Sequence, residues 1–504
     1  MKRHISAFQR FGIRSALVAS CCLVLISSGC TMAPKYTRPA APVPSGWPTG
    51  PAYGRAAGTN AAVAPDLHWQ EFFTDKQLQH AIGLALTNNR DLRIAALNVE
   101  RARALYGIQR AELFPIVNAT GSGSKARVPA DLSSTGTRQT VESYSANLGV
   151  ASWEIDFFGR IRSLKDRALE EYLATEQAHR STQILLVSSV ANAYLALAAD
   201  RESLKLSETT LNTQQAAYNL VKHRYDLGLV PEVDVFRAQA PLDIARRDVA
   251  IYTQQAARDE NALNLLVGLS TGPDWSGVPS DLSGVNPPMH VNAGISSDLL
   301  LRRPDVLQAE DLLKAANADI GAARAAFFPR ISLTAAIGTA SSDLSGLFKS
   351  GSGAWSYAPQ IVMPIFDART WSAHKAAKVQ REIAVAQYER TIQGAFREVA
   401  DALAARGTVD QQVAAQESLV KASAETYRLA NSRYERGIDS YLGVLDAQRS
   451  LFAAQQVLVF LRLEQLTSQV RLYAVLGGGW DAERSQAFAA ESTRDETERN
   501  ARHL

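Results

Sequence analysis

The chain has 504 residues, with 53 lysines and arginines against 50 aspartates and glutamates. That balance points to no nucleic-acid partner. The three cysteines, Cys21, Cys22 and Cys30, all lie in the first 30 residues, which leaves no disulfide framework beyond them. The eight histidines are scattered, there is no H-E-x-x-H, and no cofactor or metal motif is present, so the composition excludes the common enzyme constellations.

Residues 1–29 read as a targeting segment. Lys2, Arg3, His4, Arg10 and Arg14 form a basic start, and Ser15 to Gly29 is apolar and too short for a membrane span. Leu25-Ile26-Ser27-Ser28-Gly29-Cys30 looks like a bacterial lipobox, with Cys30 as the acylated residue and Ser27 where that pattern prefers leucine. Cys21 as the anchor and a plain signal peptide are the alternatives. Thr31 is not the aspartate linked to inner-membrane retention, which favours the outer membrane. Attached acyl chains would tether the protein to outer membrane lipid. Residues 30–68 are rich in Pro, Ala and Gly and read as an extended, lipid-anchored segment.

Residues 69–114 are helical. The helix from Asp91 to Glu112 runs into Leu113-Phe114-Pro115 and has a second copy 214 residues on (305 − 91), ending at Phe327-Phe328-Pro329. Ala95/Ala309, Ala102/Ala316, Gly107/Gly321 and Arg110/Arg324 are kept between the copies. The chain is an internal duplication in which each half runs helix, strands, long hairpin.

After each of these prolines the period becomes two. Tyr144, Ala146, Leu148 and Val150 alternate with Ser145, Asn147 and Gly149; Ile331, Leu333, Ala335 and Ile337 alternate with Ser332, Thr334 and Gly338. Trp355, Tyr357 and Ile361 mark another strand, and Ile116 to Ser122 a weaker one. Residues 115–156 and 329–366 are thus two strand pairs, with loops at 125–140 and 340–353. An apolar-out, polar-in alternation is that of a membrane β-barrel, and of a soluble sandwich when one strand is taken alone. Four strands cannot close a barrel, and open edges are not tolerated in lipid. The chain must therefore associate, and three copies give twelve strands.

Residues 157–270 and 367–477 are long helical hairpins. From Arg160 to Leu227 no proline intervenes, and 68 residues of helix would span roughly 100 Å. Their tips match at an offset of 209 (427 − 218): Arg224-Tyr225 with Arg433-Tyr434, Gly228 with Gly437, and Gly268 with Gly477. The glycines stop the helices near 228–231 and 437–441, and Pro231 suits the first turn of the next helix. Residues 271–302 form an inter-repeat loop and equatorial helix, 303–328 the second-half helix, and 478–504 a charged, aperiodic tail.

Several of these stretches together resemble the outer membrane factor (TolC-like) family, in its lipoprotein branch of OprM-like multidrug efflux channels. They are Gly29-Cys30-Thr31-Met32-Ala33-Pro34, Asn89-Arg90-Asp91-Leu92, Arg110-Ala111-Glu112-Leu113-Phe114-Pro115, Trp153 to Arg160, Leu301-Arg302-Arg303-Pro304-Asp305-Val306, Pro364-Ile365-Phe366-Asp367, and Arg433-Tyr434 to Arg449. The resemblance covers about residues 30 to 480. It implies an α+β membrane protein: a homotrimer with one twelve-stranded β-barrel, four strands per chain, continued by a twelve-helix periplasmic α-barrel of coiled-coil hairpins. It further implies a non-enzymatic exit duct in the outer membrane, docked to a periplasmic adaptor and an inner-membrane pump of the resistance-nodulation-division class. A duct for type I protein secretion and a non-conducting structural lipoprotein are the competing readings.

The resemblance also assigns residues. Leu442, Asp446 and Arg449, at i, i+4 and i+7 on one helix face, correspond to a periplasmic gate. Asp234 and Tyr434 would link the two hairpins, although Asp439 stands where TolC has arginine. Gly228, Leu229, Val230, Gly437 and Ile438 would be the adaptor-docking tips, small residues and exposed apolar ones suiting a partner hairpin.

Overall fold

A computed structural model describes residues 31–53, 67–269, 275–291 and 296–479. The expected targeting segment 1–29, Cys30 and residues 480–504 of the expected tail lie outside the described residues. The elements, in order, are α1 (Trp69–Phe72), α2 (Lys76–Asn88), α3 (Arg90–Ala111), β1 (Val117–Val128), β2 (Gln139–Glu154), α4 (Arg160–Asp226), α5 (Glu232–Val267), α6 (Pro304–Ala325), β3 (Arg330–Ser341), β4 (Gly353–Val362), α7 (Ala368–Glu435) and α8 (Tyr441–Val475). The chain divides into two compact units. Of the described residues, the first holds the sheet with residues 31–40, 99–175 and 309–388, and the second holds residues 41–53, 67–98, 176–269, 275–291, 296–308 and 389–479.

In the first unit, four antiparallel strands form one sheet in the order β1-β2-β3-β4. Cross-strand partners share a face, so the register sorts the side chains. Ala119 opposes Leu148, Leu148 opposes Ile337, and Ile337 opposes Trp355, giving one apolar row. The next row reads Thr120, Asn147, Gly338 and Ala354. Leu148, Ile337, Trp355 and Tyr357 are exposed on their face of the sheet. β1 runs to Val128, past the Ser122 at which the alternation weakens, because its polar and small residues still pair in register as far as Val128 with Gln139.

The helix starts beside the sheet are built locally. Asp156 accepts from the backbone N–H groups of Ile161 (3.1 Å) and Arg162 (2.9 Å), capping α4. Glu154 receives both arms of Arg160, at 2.9 and 2.8 Å. Asp367 accepts the Arg369 N–H at 3.0 Å at the head of α7. These contacts give physical roles to Glu154, Asp156 and Arg160 of the Trp153-to-Arg160 stretch and to Asp367 of Pro364-Ile365-Phe366-Asp367. The extended segment 31–38 lies along α6: Arg38 makes two bonds to Glu310 (2.9 and 2.8 Å), Tyr36 donates to the same carboxylate at 3.1 Å, and the amide of Asn317 donates to the Pro34 carbonyl at 2.7 Å.

In the second unit, Phe72, Phe73 and Tyr473 form a buried aromatic cluster, with Phe72 and Tyr473 stacked at 3.9 Å. α4 is long and apolar enough by composition to cross a membrane. Its residues Leu186, Val190, Tyr194 and Leu197 are instead buried in this core. α5 continues through Pro241, which the usual helix-breaking effect of proline would not suggest.

The duplication is carried into the hydrogen bonding. Asn89 donates to the Leu266 carbonyl at 2.8 Å, and Arg303 donates to the Val475 carbonyl at 2.6 Å. These are equivalent pairs in the two repeats, and each ties the start of a short helix to the end of a hairpin. Gly268, at φ 77°, lies so close to Asn88 that a Cβ would strike its backbone.

Candidate channel entrance at the hairpin tips

Both hairpins turn by the same device. Gly228 (φ 72°) donates to the Tyr225 carbonyl at 2.8 Å and Leu229 to the Arg224 carbonyl at 2.9 Å. Gly437 (φ 73°) donates to Tyr434 at 2.9 Å and Ile438 to Arg433 at 3.0 Å. This is the paired bonding of a Schellman stop, and it requires the left-handed residue that glycine provides. Pro231 sits at the N-cap of α5, one position before the first turn where sequence reasoning placed it. Glu232 and Asp234 then occupy the first turn of α5, where carboxylates suit the helix dipole.

The tips are open. Leu229 and Ile438 are exposed, and a side chain built at Gly228 or Gly437 would meet nothing within 4 Å. Val230 is half-buried.

Leu442, Asp446 and Arg449 all lie on the exposed side of α8, and Val444, Leu445, Ala447 and Gln448 on its buried side.

Asp234 and Tyr434, expected to link the two hairpins, each have another partner. Asp234 accepts from Arg237 on its own helix, at 3.2 Å. Tyr434 is taken by Arg224 of the other hairpin: Arg224 Nη1 lies 2.7 Å from the phenol oxygen, and its guanidinium carbon is 5.7 Å from the ring centre. A planar cation reaching across from the neighbouring helix satisfies the tyrosine better than a short carboxylate already paired on its own turn. Asp439 is held by both arms of Arg433, which pulls its carboxyl below the usual carboxylate range. That pairing removes the repulsion a second acid would bring.

Sequence reasoning missed Arg224 and Tyr441. Tyr441 packs its ring 5.1 Å from that of Tyr434, its hydroxyl is buried without a partner, and burial pushes its phenol up to about 12. The repeated Arg-Tyr dipeptide, Arg224-Tyr225 and Arg433-Tyr434, was the available signal. It marks both sites but does not say that one copy's arginine meets the other copy's tyrosine.

The family model described as outer membrane efflux protein matches residues 81–269 and 295–478. The toluene efflux pump outer membrane protein TtgC of Pseudomonas putida is 50% identical over 478 residues, covering 94% of this chain and 97% of that protein. A membrane protein of Pseudomonas aeruginosa has a similar solved structure, with TM-score 0.83, 40% identity, and coverage of 90% of this chain and 98% of the other. The open-state MtrE outer membrane channel of Neisseria gonorrhoeae gives TM-score 0.80 and 36% identity, covering 89% of this chain and 98% of that one.

Proposed function

The chain belongs to the outer membrane efflux protein family and is the outer membrane exit channel of a tripartite efflux pump, and from that premise we propose how it works. Three copies join their sheets edge to edge into a twelve-stranded barrel, and their hairpins form a twelve-helix periplasmic tunnel. The supporting observation is the sheet itself, which has one apolar face, one polar face and two unpaired edges, β1 and β4. In lipid those edges must be paired, and the polar face then lines a water-filled lumen. Passage is passive and needs no catalytic group.

At the other end, rings of Leu442, Asp446 and Arg449 from three copies narrow the entrance. The leucines supply a steric and dewetting collar, and the aspartates a negative ring that favours cations. The Arg224–Tyr434 bond holds the two hairpins of each copy together there. The exposed tips, with Leu229 and Ile438, dock a periplasmic adaptor that connects to an inner-membrane pump of the resistance-nodulation-division class. Cys30 carries the acyl anchor. Relatives are named for toluene, solvent and antibiotic efflux, which suggests small apolar molecules and drugs as cargo.

Conductance of the purified protein in planar bilayers tests the reading. Discrete channels are expected, together with restored solvent and drug tolerance when the protein is expressed with its cognate pump and adaptor. A protein that inserts without conducting would instead be a structural lipoprotein. One that conducts but restores only polypeptide export would serve type I secretion.

A further inference from the structure

We propose that the foot of the second repeat binds the anionic headgroups of phospholipids in the periplasm-facing leaflet, through an exposed stripe of Trp371, Lys375 and Lys378 on α7.

The stripe follows from helix geometry. At about 100° per residue these three positions fall within about 60° of one another, and all three are exposed. Trp371 is set in place by Phe327, whose ring it meets edge to face at 5.0 Å; Phe327 also meets His374 at 5.7 Å. From Ala368 to Arg381, α7 carries Arg369, Lys375, Lys378 and Arg381 and no acid. Glu382 is the first acid, one turn past Lys378. Acids at this end of the unit already hold arginines: Asp367 holds Arg369 (3.0 Å), Glu154 Arg160 (2.8 Å), Asp156 Arg162 (3.2 Å) and Asp319 Arg167 (3.0 Å).

Two independent features put the stripe at the edge of the bilayer. The first is the sheet. Ile361 shares the apolar face with Trp355 and Tyr357, and Met363, Ile365 and Phe366 continue the exposed apolar surface to the head of α7. The second is the extended segment 31–38, which runs antiparallel to α6. Arg38 meets Glu310, Asn317 meets the Pro34 carbonyl, and Arg324 donates to the Met32 carbonyl at 3.3 Å. That path leads the chain toward Cys30 at the end of α6, close to Phe327. The anchor proposed above and the stripe thus share one level. An indole favours the membrane interface. Lysine stems lie along apolar surface while their ammonium groups reach phosphate, and basic residues at that depth attract anionic lipid.

The duplication shows that the fold does not require the stripe. At the offset of 209 (371 − 162), Trp371, Lys375 and Lys378 correspond to Arg162, Asp166 and Leu169. There Arg162 bonds Asp156, and Asp166 pairs with Lys165 at 2.9 Å. The first repeat closes its charges on one another, whereas the second turns lysines and a tryptophan outward.

The proposal rests on the channel reading above. Its test uses the full-length protein in detergent micelles, with phosphatidylglycerol and phosphatidylcholine of the same acyl chains added and bound lipid counted by native mass spectrometry. Wild type should prefer phosphatidylglycerol by roughly 10- to 30-fold, at about fivefold per lysine. Lys375→Gln with Lys378→Gln should abolish that preference and leave phosphatidylcholine binding unchanged. Lys165→Gln, in the first repeat, should alter neither. Equal binding of the two lipids by wild type, or a preference kept in the double variant, would overturn the proposal. So would a double variant that loses assembly yet keeps the preference, since a neighbouring copy would then cover the stripe. Release of the bound lipid by an equal concentration of inorganic phosphate would make it a plain anion site instead. Planar-bilayer conductance of the same samples tests the channel reading separately.

Discussion

Single side chains at the entrance act through charge and bulk. If Leu442 forms the collar, Leu442→Ala should raise single-channel conductance and vancomycin uptake, and Asp446→Ala should weaken cation preference. Trimers of both variants that conduct and select like wild type would place the constriction elsewhere. The Arg224–Tyr434 bond makes a separate prediction. It joins a charged donor to a phenol in a half-buried site, so a double-mutant cycle of Arg224→Ala and Tyr434→Phe on hairpin opening should give coupling of about 1 kcal/mol. The same cycle with Asp234→Ala in place of Arg224→Ala should give coupling near zero, because Asp234 is held by Arg237. The expected Asp234–Tyr434 link came from positions in a family. The observed one depends on which side chain reaches across between two copies of one motif, and that is a three-dimensional fact no local spacing carries.

Elements were more legible than contacts. The two-residue period at 144–150 and 331–337 lies within β2 and β3, because a sheet with one apolar and one polar face imposes that period directly. The end of β1 from Gly123 to Val128 was not legible, since Gly123, Ser124, Lys125 and Arg127 carry little hydrophobic signal and are specified by pairing with β2. Pro241 lies inside α5 although proline removes one helical backbone bond. The two faces of the sheet lead to a clear substitution test. Ile337→Arg puts a charge on the apolar face between Leu148 and Trp355, at a cost of about 2–4 kcal/mol if the site is near mid-membrane. Outer-membrane assembly should collapse in that variant. Asn147→Asp, in the polar row, should assemble normally and shift ion selectivity; equal assembly of both variants would mean that the sheet does not face lipid. The segment along α6 offers another test. Glu310→Ala removes the acceptor for Arg38 and Tyr36. It should release residues 31–38 to protease, with a stability loss near ~1 kcal/mol because the half-exposed Arg38 regains water.

At the scale of the whole molecule the argument turns on edges. β1 and β4 each leave one row of backbone groups unpaired, and in a bilayer each such group costs several kcal/mol. A hydrophobic surface can be hidden in many ways, but a strand edge in lipid is satisfied only by another strand. In a closed ring of identical chains, β1 of one copy must therefore pair with β4 of the next, and the number of copies is set by how many four-stranded sheets complete the circle. Two copies would give eight strands and a lumen filled by side chains, whereas three give twelve and room for cargo. The sequence makes this testable with little background, since no cysteine lies beyond Cys30. Single cysteines at Ala119, Thr120 or Gly121 of β1, combined in turn with one at Ser356, Tyr357 or Ala358 of β4, sample the unknown register between neighbours. At least one combination should bring its Cα atoms within the ~4.4–6.8 Å that a disulfide spans. Oxidation of that variant in the membrane should produce covalent dimers and trimers and nothing larger. A ladder that stops at two would give an eight-stranded barrel. Cross-links confined within single chains in every combination would mean that the edges are not joined between copies, and the proposed barrel would be lost with them.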